Sequence, residues 1–215
     1  EIYTLSLHDA LPISIVIMDD MGLVVRRCMD KLRFPMFVKP ANLGSSLGIS
    51  KVEDRAELIT ALRLASQYDR RILVEQGVNA REVECAIIGN DSPLASGVGE
   101  ISATHRFYDY EAKYTDGSGT EIRVPADIKK ETVEKIRAYA ERAYVALDCA
   151  GFARADFLID RESGEIFLSE FNTIPGCTKY SMFPMLWRER GIPFEEIIER
   201  IVRFGYERHH IKNSR

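Results

Sequence analysis

Two apolar runs, residues 153–159 and 165–171, are separated only by the polar segment Asp160-Arg161-Glu162-Ser163-Gly164. A connector this short can join antiparallel strands, whereas parallel strands need a crossover of roughly a dozen residues or more. The pair therefore fixes an antiparallel sheet in the second half of the chain. A similar pair occurs near the start. Residues 34–40 end in Lys39-Pro40, residues 49–52 resume the pattern, and Ala41-Asn42-Leu43-Gly44-Ser45-Ser46-Leu47-Gly48 makes a polar, glycine-bearing tip between them. Further strands are expected at 71–76, bounded by Gly77, and at 82–88, which stops at Gly89-Asn90-Asp91. A weaker candidate spans 94–101 and is interrupted by glycines.

Helical spacing appears in three places. In 53–68, Leu58, Ala61, Leu62 and Ala65 fall on one face. In 129–147, Val133, Ile136, Ala140, Ala143, Tyr144 and Leu147 form the stripe, with Gly151 just beyond. The third is 194–204, with Pro193 at its start. Residues 105–125 show no period, and loops of that length usually carry function or disorder. The sum is an α+β chain with mostly antiparallel sheets and helices packed on them.

The 215 residues hold 29 Lys plus Arg against 33 Asp plus Glu, a formal charge of −4. That mild acidity excludes a mainly electrostatic nucleic-acid binder, so no nucleic-acid partner is expected. No apolar run approaches the ~18–20 residues needed to cross a bilayer, so no membrane partner is expected either. Cys28, Cys85, Cys149 and Cys177 form no C-x-x-C and have no histidine beside them. They read as reduced, small buried hydrophobes in a cytoplasmic protein, not as a zinc or redox centre. The first residues, EIYTLSLHDALPIS, lack an initiator Met and lead into no later pattern. Residues 1–14 are expected to be a non-native leader, with a genuine first strand as the alternative.

Three polar clusters carry possible chemistry. Arg154-x-Asp156 lies on one strand and Glu170-x-Asn172 on the next, and residues two apart on a strand share a face. Two carboxylates and an amide oxygen are hard donors suited to Mg²⁺. Exposed polar strand positions would explain the same residues. The second cluster is Lys39 with the Gly/Ser tip, whose backbone N–H groups could cradle phosphates although it is no Walker A. The third is Leu73-Val74-Glu75-Gln76-Gly77-Val78 with Glu82 downstream. Its backbone could meet a purine edge and its carboxylate a ribose, though a buried strand followed by a surface acid fits equally.

In order along residues 34–205, the chain reads F-x-x-F-V-K-P-A-N-x-G-S-S-x-G-I-S-K-V, L-V-E-Q, F-Y-D-Y-E-A-K-Y, G-x-x-R-x-D-F and E-x-N-T-x-P-G-x-T-x-x-S. This resembles the D-alanine–D-alanine ligases of the ATP-grasp superfamily. The resemblance implies an ATP-grasp fold, with a leader at 1–14, a partial central subdomain at 15–77 and a C-terminal subdomain at 78–215 carrying a lid loop at 105–125. It implies ATP-dependent, ADP-forming ligation of two D-alanines through an acyl-phosphate, for peptidoglycan and cell-wall synthesis in the cytoplasm. The implied cofactors are ATP and two Mg²⁺ ions, with Mn²⁺ as a substitute. The implied partners are D-alanine, ATP and, in the full-length protein, a second copy in a homodimer.

Family roles transfer residue by residue. Lys39 matches the lysine on the α- and β-phosphates, and Ser45 and Ser46 match the loop over phosphates and substrate. Glu75, Gln76 and Val78 match the adenine hinge, and Glu82 the ribose ligand. Lys113 and Tyr114 match the pair in the closing loop. Asp156, Glu170 and Asn172 match the magnesium ligands, Arg154 the arginine at the reacting centre, and Gly176 a backbone donor beside it. Ser181 matches the serine on the second substrate's carboxylate.

The chain departs from the family pattern in two ways. Neither the N-terminal domain with its substrate-positioning glutamate nor an early central-domain lysine has a match, since Lys31 lies too close to the Lys39 strand. Lys179-Tyr180 precedes Ser181 where a histidine is common. An inactive nucleotide-binding fragment, or a related ligase using D-lactate or D-serine as acceptor, are the alternatives.

Overall fold

A computed structural model describes residues 13–17, 20–43, 47–103, 120–178 and 180–214, backbone only for 13–17, 103 and 120. The described chain divides into two compact units, one holding residues 13–79 and the other 80–102 with 121–214.

The first unit runs β1 (Ile13–Ile17), α1 (Met21–Lys31), β2 (Met36–Pro40), β3 (Ser50–Val52), α2 (Arg55–Ala65) and β4 (Arg71–Gln76). Its sheet order is β1-β4-β2-β3, every neighbouring pair antiparallel. The β2–β3 hairpin and α2 follow the sequence expectation. Asp54 caps α2 by accepting the Glu57 N–H at 2.9 Å, and Glu57 reaches back to the Glu53 N–H at 2.7 Å. The first bond satisfies a donor that the first turn otherwise leaves open, and the second ties the residue before the cap to the helix. Alternate residues Met36 and Val38 of β2 and Ile72 and Val74 of β4 are buried with Leu58 and Leu62 of α2 and Val25 and Cys28 of α1.

Two findings revise the sequence reading here. Ile13 and Ser14, set aside with the leader, pair with Glu75 and Val74 in β1, while residues 1–12 lie outside the described residues. Helix α1 went unread because its apolar residues follow directly on that excluded segment, yet Asp20 caps it through the Gly22 and Leu23 N–H groups.

The second unit runs β5 (Ala80–Gly89), β6 (Leu94–Ala103), β7 (Thr120–Arg123), α3 (Lys130–Ala146), β8 (Gly151–Asp160), β9 (Ile166–Asn172), α4 (Met182–Glu189) and α5 (Phe194–Asn213). Its sheet order is β7-β6-β5-β8-β9. The β5–β6, β5–β8 and β8–β9 pairs are all antiparallel. Strand β7, at Thr120–Arg123, falls inside the 105–125 stretch expected to be loop. Residues 104–119 lie outside the described residues.

The sheet is covered on both faces. Val83, Cys85 and Ile87 of β5 and Ala153, Ala155 and Phe157 of β8 pack on Ile136, Ala140 and Tyr144 of α3. Ala86, Ile88 and Phe152 pack on Met182, Phe183, Leu186 and Trp187 of α4 and Ile197 of α5. The fully buried Tyr144 ring keeps its hydroxyl satisfied by donating to the Gly89 carbonyl at 2.7 Å.

Glycines in β6, which weakened the strand signal, are what let α4 approach. A Cβ on Gly99 would sit 2.5 Å from Met182 Sδ, and one on Gly97 would sit 2.7 Å from a Glu189 oxygen. All four cysteines are free, Cys28 and Cys85 buried and Cys149 and Cys177 half-buried. Among the described residues no helix is long and apolar enough to cross a membrane.

A Cβ on Gly77 would meet the Pro35 carbonyl oxygen at 2.5 Å, a backbone atom that cannot swing aside. Gly77→Ala is therefore expected to cost about 1–3 kcal/mol. Gly205, inside α5 with open space around it, is the opposite case: Gly205→Ala should gain roughly 0.5–1 kcal/mol from helix propensity. Urea unfolding of the two variants checks both signs, and a stable Gly77→Ala would contradict the packing.

Candidate functional site

The antiparallel register sets three carboxylates in one row across three strands. Glu84 of β5 stands opposite Asp156 of β8, and Asp156 opposite Glu170 of β9. In the next row Ala86 faces Arg154, and Arg154 faces Asn172. All belong to the sheet face that α4 and α5 cover further along. The helices seal the Ala86–Ile88–Phe152 end, and the acidic row continues beyond them. Glu84 is buried, Asp156, Arg154 and Asn172 are half-buried, and Glu170 is exposed.

Arg154 forks onto Asp156, its Nε donating to Oδ1 and its Nη2 to Oδ2, both at 2.7 Å. Asn172 Nδ2 donates to Asp156 Oδ2 at 2.8 Å and to Glu170 Oε1 at 3.3 Å. Arg154 Nε also lies 2.9 Å from Glu84 Oε2. Its hydrogen is aimed at Asp156, so this buried Glu84 oxygen accepts no hydrogen bond.

The electrostatics follow from burial and crowding. Desolvation and the Asp156 charge push the Glu84 carboxyl well above the usual carboxylate range, against the pull of Arg154. Desolvation also raises Asp156, partly offset by the hydrogen bonds from Arg154. Burial works against the Arg154 charge, but the Asp156 hydrogen bonds outweigh it and hold the guanidinium protonated.

Three carboxyl groups crowd around one guanidinium, more acid than a single arginine can neutralise. An uncompensated cluster of hard oxygen donors with an unpartnered buried oxygen fits Mg²⁺. Among the described residues no three acidic, His or Cys side chains form a closed cage by themselves. An ion here would need the Asn172 amide, turned to present its oxygen.

In the first unit, Lys39 of β2 and Glu75 of β4 meet as a largely buried ion pair at 2.8 Å. The Gln76 side chain is committed to backbone: Oε1 accepts the Arg33 N–H and Nε2 donates to the Arg33 carbonyl, each at 2.8 Å. Only the main chain of Gln76 is left for a ligand. Val78 lies half-buried between β4 and β5. Asp69 ties down the base of the Gly/Ser tip, its Oδ2 accepting the Asn42 N–H at 2.8 Å and the Asn42 amide at 2.7 Å. At the other end Gly48 takes φ +74°, where a Cβ would strike the Tyr68 ring at 2.9 Å. Only glycine suits such a position.

Glu82 is exposed on β5, beside the Arg81 clamp, whose Nε and Nη2 donate to Glu100 at 2.7 and 2.6 Å. Ser181, at the start of α4, accepts the Thr178 N–H at 3.1 Å and does not cap the helix. Gly176 sits against it, and a Cβ there would come within 3.0 Å of Ser181 Oγ. Ser45, Ser46, Lys113 and Tyr114 lie outside the described residues.

Glu84 escaped the sequence reading. The signal was present in Glu82-Val83-Glu84-Cys85-Ala86, where a second acid continues into an otherwise apolar central strand.

A family model described as "D-ala D-ala ligase C-terminus" matches residues 17–203. The D-alanine–D-alanine ligase of Ruminiclostridium cellulolyticum is 51% identical over 187 residues, covering 86% of this chain and 50% of that protein. That of Acetivibrio thermocellus is 50% identical over 186 residues, covering 86% and 49%. Among solved structures, the VanG D-Ala:D-Ser ligase from Enterococcus faecalis superposes with a TM-score of 0.82 at 34% identity, covering 91% of this chain and 57% of that one. The D-alanine–D-alanine ligase from Coxiella burnetii gives 0.83 at 28%, covering 96% and 54%. The chain spans about half the length of the curated relatives it matches.

The Arg81–Glu100 pair yields a pH test. Arg81's hydrogen bonds hold the Glu100 carboxyl below its ordinary value. Its stabilising effect is thus present above the unfolded carboxylate range and lost as pH falls through the lower folded value. Glu100→Gln should lower the melting temperature at pH 7, with the gap to the parent chain closing below about pH 4. A gap that stays constant with pH would refute the assignment.

Proposed function

Because this chain belongs to the D-alanine–D-alanine ligase family, whose C-terminal model it matches over residues 17–203, we propose that it is the ATP- and magnesium-handling part of a ligase joining two D-alanines. The carrying observation is the Glu84–Asp156–Glu170 row with Arg154 and Asn172 beside it. The reading places the protein in cytoplasmic peptidoglycan precursor synthesis, with ATP and D-alanine as substrates, ADP as a product and two Mg²⁺ ions, replaceable by Mn²⁺, at the phosphates. A homodimer is proposed for the protein of full family length.

Each residue then has a task set by its chemistry. Asp156, Glu170 and Asn172 would hold magnesium, which when bound offsets phosphate charge during phosphoryl transfer. Lys39 supplies a point charge toward phosphate, and Ser45 and Ser46 cover it from the Gly/Ser tip. Glu75, the Gln76 main chain and Val78 hold the adenine, and Glu82 the ribose.

The first D-alanine's carboxylate oxygen takes the γ-phosphoryl group, giving an acyl-phosphate and ADP. The second amine attacks the acyl carbon, and phosphate leaves as the amide forms. Arg154 and the Gly176 N–H stabilise the tetrahedral oxyanion, and Ser181 orients the second carboxylate. Lys113 and Tyr114, in the segment Phe107-Tyr108-Asp109-Tyr110-Glu111-Ala112-Lys113-Tyr114, close over the site and exclude water from the acyl-phosphate. That aromatic segment and the D-alanine–D-alanine relatives near 50% identity favour D-alanine as acceptor over D-lactate or D-serine.

Two measurements test this reading. ADP binding to this chain, followed by calorimetry, should tighten when Mg²⁺ is added. Asp156→Asn should abolish that tightening, and Lys39→Ala should weaken binding with or without the ion by less than about tenfold, because the parent lysine already has Glu75 as partner. ADP binding that ignores Mg²⁺ would overturn the magnesium assignment.

The second measurement is competition between D-alanine and D-lactate at pH 7 in the protein of full family length. D-alanyl-D-alanine should predominate by ~10²-fold, about 2.7 kcal/mol of differential transition-state binding. Predominant depsipeptide would overturn the acceptor.

A further inference from the structure

The acidic row contains one carboxylate more than the proposed ion needs. Glu84 stands at the inner end of the row, on β5, the central strand of the sheet, and is only 6% exposed. Its Oε2 is buried and accepts no hydrogen bond, although Arg154 Nε lies 2.9 Å away. Leaving a buried carboxylate oxygen unpaired is costly, so the arrangement calls for a state in which that oxygen is used.

The same residues define such a state. Both Asp156 oxygens accept from Arg154 and one also from Asn172. A carboxylate engaged by a bidentate guanidinium has little lone-pair capacity left for a cation. For Asp156 to hold an ion, Arg154 must release it, yet a guanidinium stripped of its partner in a half-buried site would itself be costly. Glu84 Oε2 is already within reach of Nε, so release needs only a rotation of the guanidinium and no new approach.

We infer that Glu84 is the positioning residue for Arg154, taking over its guanidinium when a divalent cation occupies Asp156, Glu170 and Asn172. The inference rests on the magnesium placement in the proposed function and adds a residue to it. Glu84 touches neither the ion nor the substrate; it acts through Arg154. The exchange keeps the guanidinium on the same face of β8, beside the ion and free of Asp156.

The test measures the affinity of this chain for Mn²⁺ alone, from the electron paramagnetic resonance signal of the free ion, in a double-mutant cycle. Glu84→Gln should weaken Mn²⁺ binding by about tenfold, because Arg154 then stays on Asp156 and competes. Glu84→Asp should recover part of the loss. Arg154→Met should raise Mn²⁺ affinity far more in the Glu84→Gln background than in the parent chain, restoring most of the loss there. In parallel, the side-chain Nε–H resonance of Arg154 should shift on adding diamagnetic Mg²⁺ in the parent chain and stay put in Glu84→Gln. Thermal melts confirm that each variant folds.

Equal effects of Arg154→Met in both backgrounds, or an Arg154 resonance indifferent to Mg²⁺ while Asp156→Asn still abolishes Mn²⁺ binding, would overturn the role of Glu84 alone. Mn²⁺ binding that survives Asp156→Asn would overturn the magnesium placement and the inference together.

Discussion

The continuous antiparallel ladder between β5 and β8, from Ala80 opposite Asp160 to Gly89 opposite Gly151, is the constraint on which the second unit depends. A strand pair in the middle of a five-stranded sheet must satisfy two faces at once, and its side chains alternate strictly between them. One face is committed to α3 through Val83, Cys85 and Ile87 and through Ala153, Ala155 and Phe157. The other can be apolar only as far as α4 and α5 reach, which is the stretch of Ala86, Ile88 and Phe152. Polar groups are tolerated where that cover ends, provided they satisfy one another. The acidic row begins there, one alternation further along the same face.

The β8–β9 pairing adds a second condition. Asp156 faces Glu170, yet Phe157 faces Leu168, so Ser169 is an extra residue, a bulge in β9. Its effect can be read in Ile166-Phe167-Leu168-Ser169-Glu170-Phe171-Asn172. The residues that pack toward α3 are Ile166, Leu168 and Phe171, which do not share one parity. Inserting Ser169 shifts the phase so that all three reach the core while Glu170 and Asn172 face Asp156 and Arg154. Without the bulge, either Phe171 or the pair Ile166 and Leu168 would be turned out of the core. A similar shift separates Cys85 and Ile87 on β5 from Val98 and Ala95 on β6. There the buried Ser96 hydroxyl accepts the Ala86 N–H at 2.9 Å, satisfying a donor the irregular ladder would leave open.

What the sequence made legible follows from the range of the interactions involved. The hairpins were readable because turn chemistry and alternation are local; Asp160, for example, accepts from the Glu162 and Ser163 N–H groups to shape its own turn. Helices α2 and α3 were readable from their stripes. Helix α4 was not, because Met182-Phe183-Pro184-Met185-Leu186-Trp187 is apolar almost all round and gives no periodicity. It is buried between the β6 glycines and α5, a tertiary circumstance. The glycines read as weakness in β6 are contact points for that helix, a role visible only once α4 is in place. Asp156, Glu170 and Asn172 were placed on one face by counting in twos within short segments on either side of the hairpin. Glu84 was missed because its relevance depends on which strand lies beside β8. That pairing spans about seventy residues of chain, and no local pattern announces it.

The two units solve the problem of a half-built polar site in opposite ways. In the first, Lys39 and Glu75 neutralise each other at 2.8 Å with little exposure. A ligand phosphate that engages Lys39 must therefore compete with Glu75, and the affinity it gains is a difference between two charge-assisted contacts, not the worth of one. In the second unit the charges do not cancel. Asp156 and Glu84 are held close together, both carboxyls raised by desolvation, with a single arginine between them. Such crowding works against folding and is retained only where the surrounding structure overdetermines it. Here the β5–β8 ladder supplies that, since neither carboxylate can leave the row without breaking a register fixed by the buried residues on either side. A cation placed in this row would relieve repulsion already present, and part of its binding energy would come from the release of that cost. The Lys39–Glu75 pair could take a ligand only by exchanging partners, whereas the acidic row holds more acid than its one arginine can satisfy.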